Sequence, residues 1–241
     1  MSLPDALTLC DAIDATWPAA DKRVVGPVIC RRGLGGGSRV SAATARWPVR
    51  ADERRAAEDV MRGWGQTPLF MIRPGDVALD AALDAEGYIV KDETVLYAAP
   101  VDAIAAVPPP VTAFQVWPPL QSQLDIWAAS GIGPDRIAVM TRAACTRTTF
   151  LGRVNDRPAG TVYAGLFGSI AMLHALEIGT ASRRLGLATH LTRAVAWWGE
   201  KQGAATLALA TTRANAPANA LYASLGMVVV GQYHYRIQPD A

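Results

Sequence analysis

One stretch of the chain combines residue types that can hold an anion with residue types that can move a proton. It runs Leu176-Glu177-Ile178-Gly179-Thr180-Ala181-Ser182-Arg183-Arg184-Leu185-Gly186-Leu187-Ala188. Arg183 and Arg184 place charge just before a long helical pattern, and Gly186 and Ala188 keep its entrance free of bulky side chains. The first turn of a helix presents unpaired N–H groups at the positive end of its dipole, which suits a phosphate or pyrophosphate. His174 stands four residues before Ile178. An unperturbed imidazole, of pKa about 6.5, is neutral at pH 7 and able to accept a proton. On a regular strand Glu177 faces away from His174, so it is the runner-up base, serving only if a bulge shifts the register. Asn215 follows Gly186 by twenty-nine residues, and Tyr222 follows in turn. A phenol of pKa about 10 can donate a proton near neutral pH.

These groups need a strand to carry His174, Leu176, Glu177 and Ile178, and a helix to present Leu187 and Ala188. Ile170 to Ile178 reads as that strand and Arg184 to Gln202 as that helix, stopped by Gly203. Thr206 to Ala210 is a short strand, Pro217 to Leu225 a helix stopped by Gly226, and Met227 to Ile237 a closing strand. Upstream, Val111 to Val116 is a strand, Leu120 to Ala129 and Pro134 to Arg142 are helices, and Cys145 to Arg153 and Gly160 to Phe167 are strands.

Six of the sixteen prolines fall between Pro100 and Pro119, so Pro100 to Pro110 reads as a stiff connector. Residues 1–110 form one half and residues 111–241 the other. The first half has helices at Pro4 to Ala15, Ala51 to Trp64 and Asp76 to Glu86. Its strands are expected at Val24 to Arg32, Arg39 to Ala45, Leu69 to Arg73 and Tyr88 to Tyr97. Setting Gly87 on Gly226 aligns Leu69–Ile72 with Ala208–Thr211 and gives both halves one order, strand, helix, strand, helix, strand: a weak internal duplication. At the position of the arginine loop the first half has Thr44-Ala45-Arg46-Trp47-Pro48-Val49, with no counterpart of Arg-x-x-Gly-x-Ala.

The chain thus shows Arg-x-x-Gly-x-Ala, a long helix, a short strand, then Asn-x-x-Ala-x-x-Leu-Tyr and Leu-Gly-Met. In this it resembles the GNAT superfamily of N-acetyltransferases over about Val111 to Ile237. The resemblance implies an α/β (α+β) fold with a mixed sheet, GNAT-like in the C-terminal half and degenerate GNAT-like in the N-terminal half, as in tandem members. It implies that Arg183, Arg184, Leu185, Gly186, Leu187 and Ala188 hold the pyrophosphate of acetyl-CoA. It implies further that Leu176, Glu177 and Ile178 line its pantetheine arm, that Asn215 contacts it, and that Tyr222 protonates the leaving thiolate. The segment around His174 is similar to that of the arylalkylamine N-acetyltransferases, which carry a second histidine where this chain has Met172. The expected reaction is direct acetyl transfer to a primary amine of a small molecule, with His174, Glu177 and Tyr222 catalytic and no metal. A longer acyl-CoA, a noncatalytic acyl-CoA-binding regulatory module and a protein N-acetyltransferase are the rival readings. Only fifteen residues follow Gly226, little for the family's final two-strand hairpin. Either one long strand serves, or the first half completes the sheet.

Composition narrows the remainder. The 241 residues are 51% hydrophobic and 18% charged, which supports a packed core and excludes general disorder. A net charge of +2 gives no support to a nucleic-acid or membrane-surface partner. Asp5, Asp11 and Asp14, with no base before Trp17, argue against an export signal, and Cys10, Cys30 and Cys145 read as reduced thiols, so a cytoplasmic location is expected. His174, His190 and His234 have no metal-ligand spacing with the cysteines. A homodimer stays open. Gly33-Leu34-Gly35-Gly36-Gly37-Ser38 reads as a hairpin loop that can still face the acceptor, and Arg31-Arg32 and Arg54-Arg55 as solvated faces.

Overall fold

The computed structural model describes residues 2–239. The first half contributes α1 (Ala6–Thr16), β1 (Asp21–Val25), β2 (Val28–Arg32), α2 (Ser38–Ser41), β3 (Thr44–Ala45), α3 (Ala51–Gly63), β4 (Leu69–Ile72), α4 (Val77–Ala85) and β5 (Ile89–Pro100). Then come α5 (Val101–Ile104), β6 (Ala113–Val116), α6 (Gln121–Ala129), α7 (Pro134–Arg142), β7 (Arg147–Val154), β8 (Arg157–Phe167) and β9 (Ile170–Ile178). The chain closes with α8 (Leu187–Lys201), β10 (Thr206–Thr212), α9 (Ala216–Ser224) and β11 (Val228–Ile237).

Eight strands from both halves form one mixed sheet in the order β4-β11-β5-β10-β9-β8-β7-β6. The first-half strand β5 lies antiparallel between β10 and β11, from Thr206↔Pro100 to Thr212↔Thr94 on one side and from Val228↔Ala98 to Ile237↔Ile89 on the other. The last strand, β11, returns the exchange by pairing with first-half β4, from His234↔Ile72 to Ile237↔Leu69. The second of the two ways to complete the sheet is therefore the one used. Each half lends its final strand to the other; β1, β2 and β3 form a separate three-stranded sheet within the first half, and β6 to β10 of the second half pair among themselves.

The element pattern departs from the sequence reading at four places. Val24 to Arg32 is not one strand but a hairpin, β1 and β2, turned at Gly26, where φ is +54°. Arg39 to Ala45 is a short helix followed by two strand residues, so the glycine-rich loop leads into α2 and not into a strand. Pro100 to Pro110 is no plain connector, since β5 runs to Pro100 and α5 follows at once. Arg31 and Arg54 are buried, not solvated, and are held by Asp14 and by Glu58 and Glu86 respectively.

The helix α8 lies across β9, β8 and β7 on an apolar stripe of Leu187, Leu191, Val195 and Trp198. Close approach is possible because Gly199 has no side chain: a Cβ there would come within 2.6 Å of the Cβ of Ala171. On the opposite face α1 packs against β8, β9 and β11. The N-terminal helix is thereby brought next to His174.

Candidate active site

Strands β9 and β10 run parallel from Thr206↔Ile170 to Leu209↔Leu173, and from His174 onward β9 has no partner in β10. The two strands splay, and the main-chain edge of residues 174–178 faces a cleft. A β-bulge shapes this edge. Across from β8, Thr161 pairs with Glu177 and Tyr163 with His174, so two residues of β8 are matched by three of β9. Ala175 takes up the extra residue at φ +50°. The bulge turns Glu177 to the same side as His174, the condition under which Glu177 can act beside it.

His174, Leu176, Glu177, Asn215 and Tyr222 line a single cavity of about 330 Å³. The first half supplies part of its wall: Trp17, Gly36, Gly37, Ser38, Arg39 and Asp92. The glycine-rich loop thus reaches the site from the other half of the chain.

His174 is 2% exposed. Its Nε2 is 2.8 Å from Thr16 Oγ1, and that hydroxyl lies 2.7 Å from the carbonyl of Ala12. A hydroxyl has one proton. If Thr16 donates it to Ala12, Nε2–H donates to Thr16 and Nδ1 keeps a bare lone pair. Nδ1 is buried and has no hydrogen-bond partner. The imidazole stacks on Trp17 at 5.2 Å. Burial, with Arg39 nearby, pushes its pKa well below 6.5. The unperturbed value assumed from sequence does not hold: the ring stays neutral to lower pH and is a weaker base. Burial acts oppositely on Glu177, raising its carboxyl above the ordinary range.

Tyr222 is 5% exposed, on α9, with its ring 5.7 Å from that of Tyr97. Burial, then the carboxylate of Glu177, raises its pKa, so the phenol keeps its proton throughout the neutral and mildly alkaline range. Asn215 is the N-cap of α9, its Oδ1 accepting from the N–H of Ala218 at 3.2 Å. That bond fixes the start of the helix that carries Tyr222.

The arginine loop stands at the end of the same edge. Arg183, Arg184, Leu185 and Gly186 are exposed, Leu187 is buried under α8 and Ala188 is half-buried. Arg183 Nε donates to the carbonyl of Ile178 at 3.3 Å, tying the loop to β9. Gly186, at φ +79°, is the N-cap of α8, with no side-chain cap and no acid in the first turn. A Cβ built on Gly186 would approach a single atom, His190 Nε2, at 4.0 Å, so the way to the helix N-terminus is open. An uncapped helix end, two arginines and a free strand edge fit a pyrophosphate with an extended arm. Arg183 and Glu177 also line a second cavity beside Ser130, Gly179 and Thr180.

One participant, Arg39, escapes the sequence pattern, and a second, Tyr235, lies in the alternating Tyr233-His234-Tyr235 segment, which reads equally as an edge of the acceptor site and as an exposed strand end. Arg39 donates from Nη2 to the carbonyl of Ala210 at 2.9 Å and stands in the cavity wall. Tyr235, one of the alternating aromatic residues near the C-terminus, is 2% exposed and lines the same cavity. Its neighbour His234 instead pairs with Asp80 at 3.0 Å. Among the described residues no helix is long and apolar enough to cross a membrane.

Residues 115–227 match the family model described as acetyltransferase (GNAT) family. No curated protein matches the chain. Among solved structures, a functionally unknown conserved protein from Staphylococcus epidermidis ATCC 12228 is similar at TM-score 0.71 and 11% identity, over 96% of this chain and 97% of that one. A GCN5-related N-acetyltransferase from Kribbella flavida is similar at TM-score 0.68 and 16% identity, over 100% and 98%. A tandem GNAT protein from the clavulanic acid biosynthesis pathway is similar at TM-score 0.58 and 16% identity, over 89% and 79%. The first two share the fold across both halves.

Proposed function

We propose that this protein, whose residues 115–227 match the acetyltransferase (GNAT) family model, is an enzyme that moves an acetyl group from acetyl-CoA directly to a primary amine of a small molecule. The observation that carries this reading is the splay of β9 from β10, with a free main-chain edge that leads to an uncapped helix N-terminus. The donor supplies an activated acyl group as a thioester. Arg183, Arg184 and the N–H groups of residues 186–188 bind its pyrophosphate, and Leu176 to Ile178 align its arm. Main-chain N–H groups on the free edge of β9 steady the charge that develops on the thioester oxygen. Nδ1 of His174 takes the amine proton, and Tyr222 gives its phenolic proton to the departing sulfur.

A second assignment of the base has its own support. The bulge at Ala175 brings Glu177 to the cleft, and burial makes its carboxylate a better proton acceptor than an ordinary one. Residues 1–110 are, on this proposal, an acetyltransferase-like half that retains the strand exchange and lacks the donor loop. The protein works without a metal and in the cytoplasm.

A panel of primary amines assayed with acetyl-CoA for free thiol tests the reaction. Turnover of at least one amine is expected, and His174→Gln should cut it by roughly 10²–10⁴ with donor affinity unchanged. If His174→Gln is harmless and Glu177→Gln is not, the base is Glu177. Donor binding with no acetylated amine would contradict the transferase reading.

A further inference from the structure

Arg39 and Arg136 both line the cavity, and neither is within ion-pair distance of a carboxylate among the described residues. The buried arginines Arg31 and Arg54 are each paired with acids. Arg39 spends one N–H on the carbonyl of Ala210. A guanidinium has five N–H donors in a planar fork, so most of this fork remains to be matched. Beside it, the hydroxyl of Tyr235 is buried in the cavity wall without a hydrogen-bond partner. A buried hydroxyl left unpaired costs stability, which a ligand able to accept its proton would offset. Arg136 stands across the glycine-rich loop, where a Cβ on Gly37 would already lie 3.5 Å from its guanidinium.

These groups are on the acceptor side of the site. Arg39, Trp17 and Gly37 come from the first half, and Ile132 and Arg136 from α7 and the turn before it. The arginine loop and the uncapped end of α8, which suit the donor phosphates, are at the far end of the β9 edge. The two anion-binding sets are separate, so the cavity is built for a second anion besides the donor. The acids in the wall are not in ion-pair contact with either arginine: Asp92 accepts from Ser38 Oγ at 3.4 Å, and Glu177 lines both this cavity and the neighbouring one beside Arg183.

We infer that the acceptor is an amine that carries a carboxylate, an amino acid in the broad sense, with the carboxylate held by the Arg39 fork and the Tyr235 hydroxyl and drawn in by Arg136. This inference rests on the transferase reading for its word acceptor, while the anion site itself is a binding claim. Arg39 then has a positioning role in the reaction: it orients the amine of a bound amino acid toward His174 and leaves simple amines unplaced. A carboxylate matches the fork bidentately, whereas the neutral amide of the same amino acid does not.

The test compares acid with amide. The full chain, saturated with CoA, is titrated calorimetrically with each of the twenty protein amino acids and with its carboxamide, and turnover with acetyl-CoA is followed in parallel. At least one amino acid should bind about 10- to 100-fold more tightly than its amide, the range expected for charge-assisted hydrogen bonds. Arg39→Gln should flatten that acid-to-amide ratio toward one, and Arg39→Lys should restore part of it. Tyr235→Phe, which keeps the ring in the core, should lower the ratio by a smaller factor. A merely structural role for Arg39 would weaken acid and amide alike and leave the ratio intact, overturning the proposal. So would equal binding of acid and amide, or binding of none of the twenty. Arg39-dependent binding of a carboxylate with no turnover would support the anion site and contradict the transferase reading. Turnover of simple amines with no preference for carboxylates would do the reverse.

Discussion

On the proposal that residues 1–110 are an acetyltransferase-like half, β3 and β4 stand where the second half has β9 and β10, and the two regions differ at every point that matters for a donor. In the second half β9 runs parallel to β10 and then leaves it, so that residues 174–178 have no partner in β10. In the first half β3 meets β4 at one parallel bridge, Ala43 to Phe70, and ends at Ala45. What would be its free edge is already used: the carbonyl of Ala45 accepts from the guanidinium of Arg73, and the N–H of Arg46 donates to the carbonyl of Pro27 at 3.0 Å. The helices that follow differ as well. At α8 the N-terminus has neither cap nor acid. At α3 the N-cap residue Arg50 gives its N–H to the Glu53 carboxylate at 3.0 Å, and Asp52 adds a second acid to the first turn. Two carboxylates there would repel a pyrophosphate. One residue past the parallel pair stands His174 in one region and Thr44 in the other, where Thr44 accepts from Arg31 Nη1 at 2.9 Å. The alignment of Gly87 with Gly226 sets Leu83 where the second half has Tyr222. On the proposed function, then, it is not the fold alone that makes the donor site but unpaired backbone, a bare helix end and the absence of acid.

The largest expected effect comes from separating the halves. Residues 111–241 produced alone lack the strand between β10 and β11, leaving two unpaired edges. They should fail to give a cooperative unfolding transition by circular dichroism, and co-expression with residues 1–110 should restore it. A cooperatively melting second half would show that the exchange is dispensable.

The donor loop comes next. Gly186→Glu should lower acetyl-CoA affinity by at least about 100-fold, through like charge at the pyrophosphate and a side chain in its path. Because Gly186 has φ +79°, any L-residue there also carries a conformational penalty of roughly 1–2 kcal/mol. Gly186→Ala reports that part alone and should retain most of the affinity. The mirror change, Asp52→Asn with Glu53→Gln at α3, should leave donor affinity untouched. Unchanged binding in Gly186→Glu would mean that the donor is held elsewhere.

How much of this contrast could be read from residues alone is itself uneven. The place of Gly186 at the entrance of α8 is legible because a glycine there acts through local backbone, which sequence encodes directly. Asn215 and Tyr222 are legible only through the resemblance, and the capping of α9 by Asn215 is added by the structure. Whether β9 carries a bulge is not legible, because that depends on the register it adopts against β8; the sequence leaves Glu177 conditional on such a bulge, and the structure supplies it at Ala175. Arg39 reaches the site by contacts distant in sequence, and no local pattern announces it, whereas the alternation of Tyr233, His234 and Tyr235 leaves that edge open between an acceptor wall and an exposed strand end. The turn at Gly26 was hidden within an apolar run that reads equally well as one strand. Burial reversed the reading of His174 as an ordinary imidazole, since a histidine near 6.5 presumes water around it.

The smallest effect sharpens the contrast between His174 and Thr44, which has no titrating group. The folded imidazole has its pKa pushed well below 6.5. As pH falls below about 6.5 the unfolded imidazole takes a proton that the folded one refuses, so the native state loses stability until the folded pKa is reached. Chemical denaturation at pH 7 and pH 5 should show this loss, and His174→Gln should reduce it. A parent whose acid sensitivity is unchanged by His174→Gln would contradict the buried neutral ring. By the same reasoning, His174 should give no rising limb in the rate profile between pH 6 and 7.

On the proposed function the two halves together hold one donor site, in the second half, and titration of the intact chain with acetyl-CoA tests this most directly. Isothermal calorimetry should return about one acetyl-CoA per chain, and Gly186→Glu should abolish the whole signal. Two sites per chain, or a single site that survives Gly186→Glu, would contradict the account.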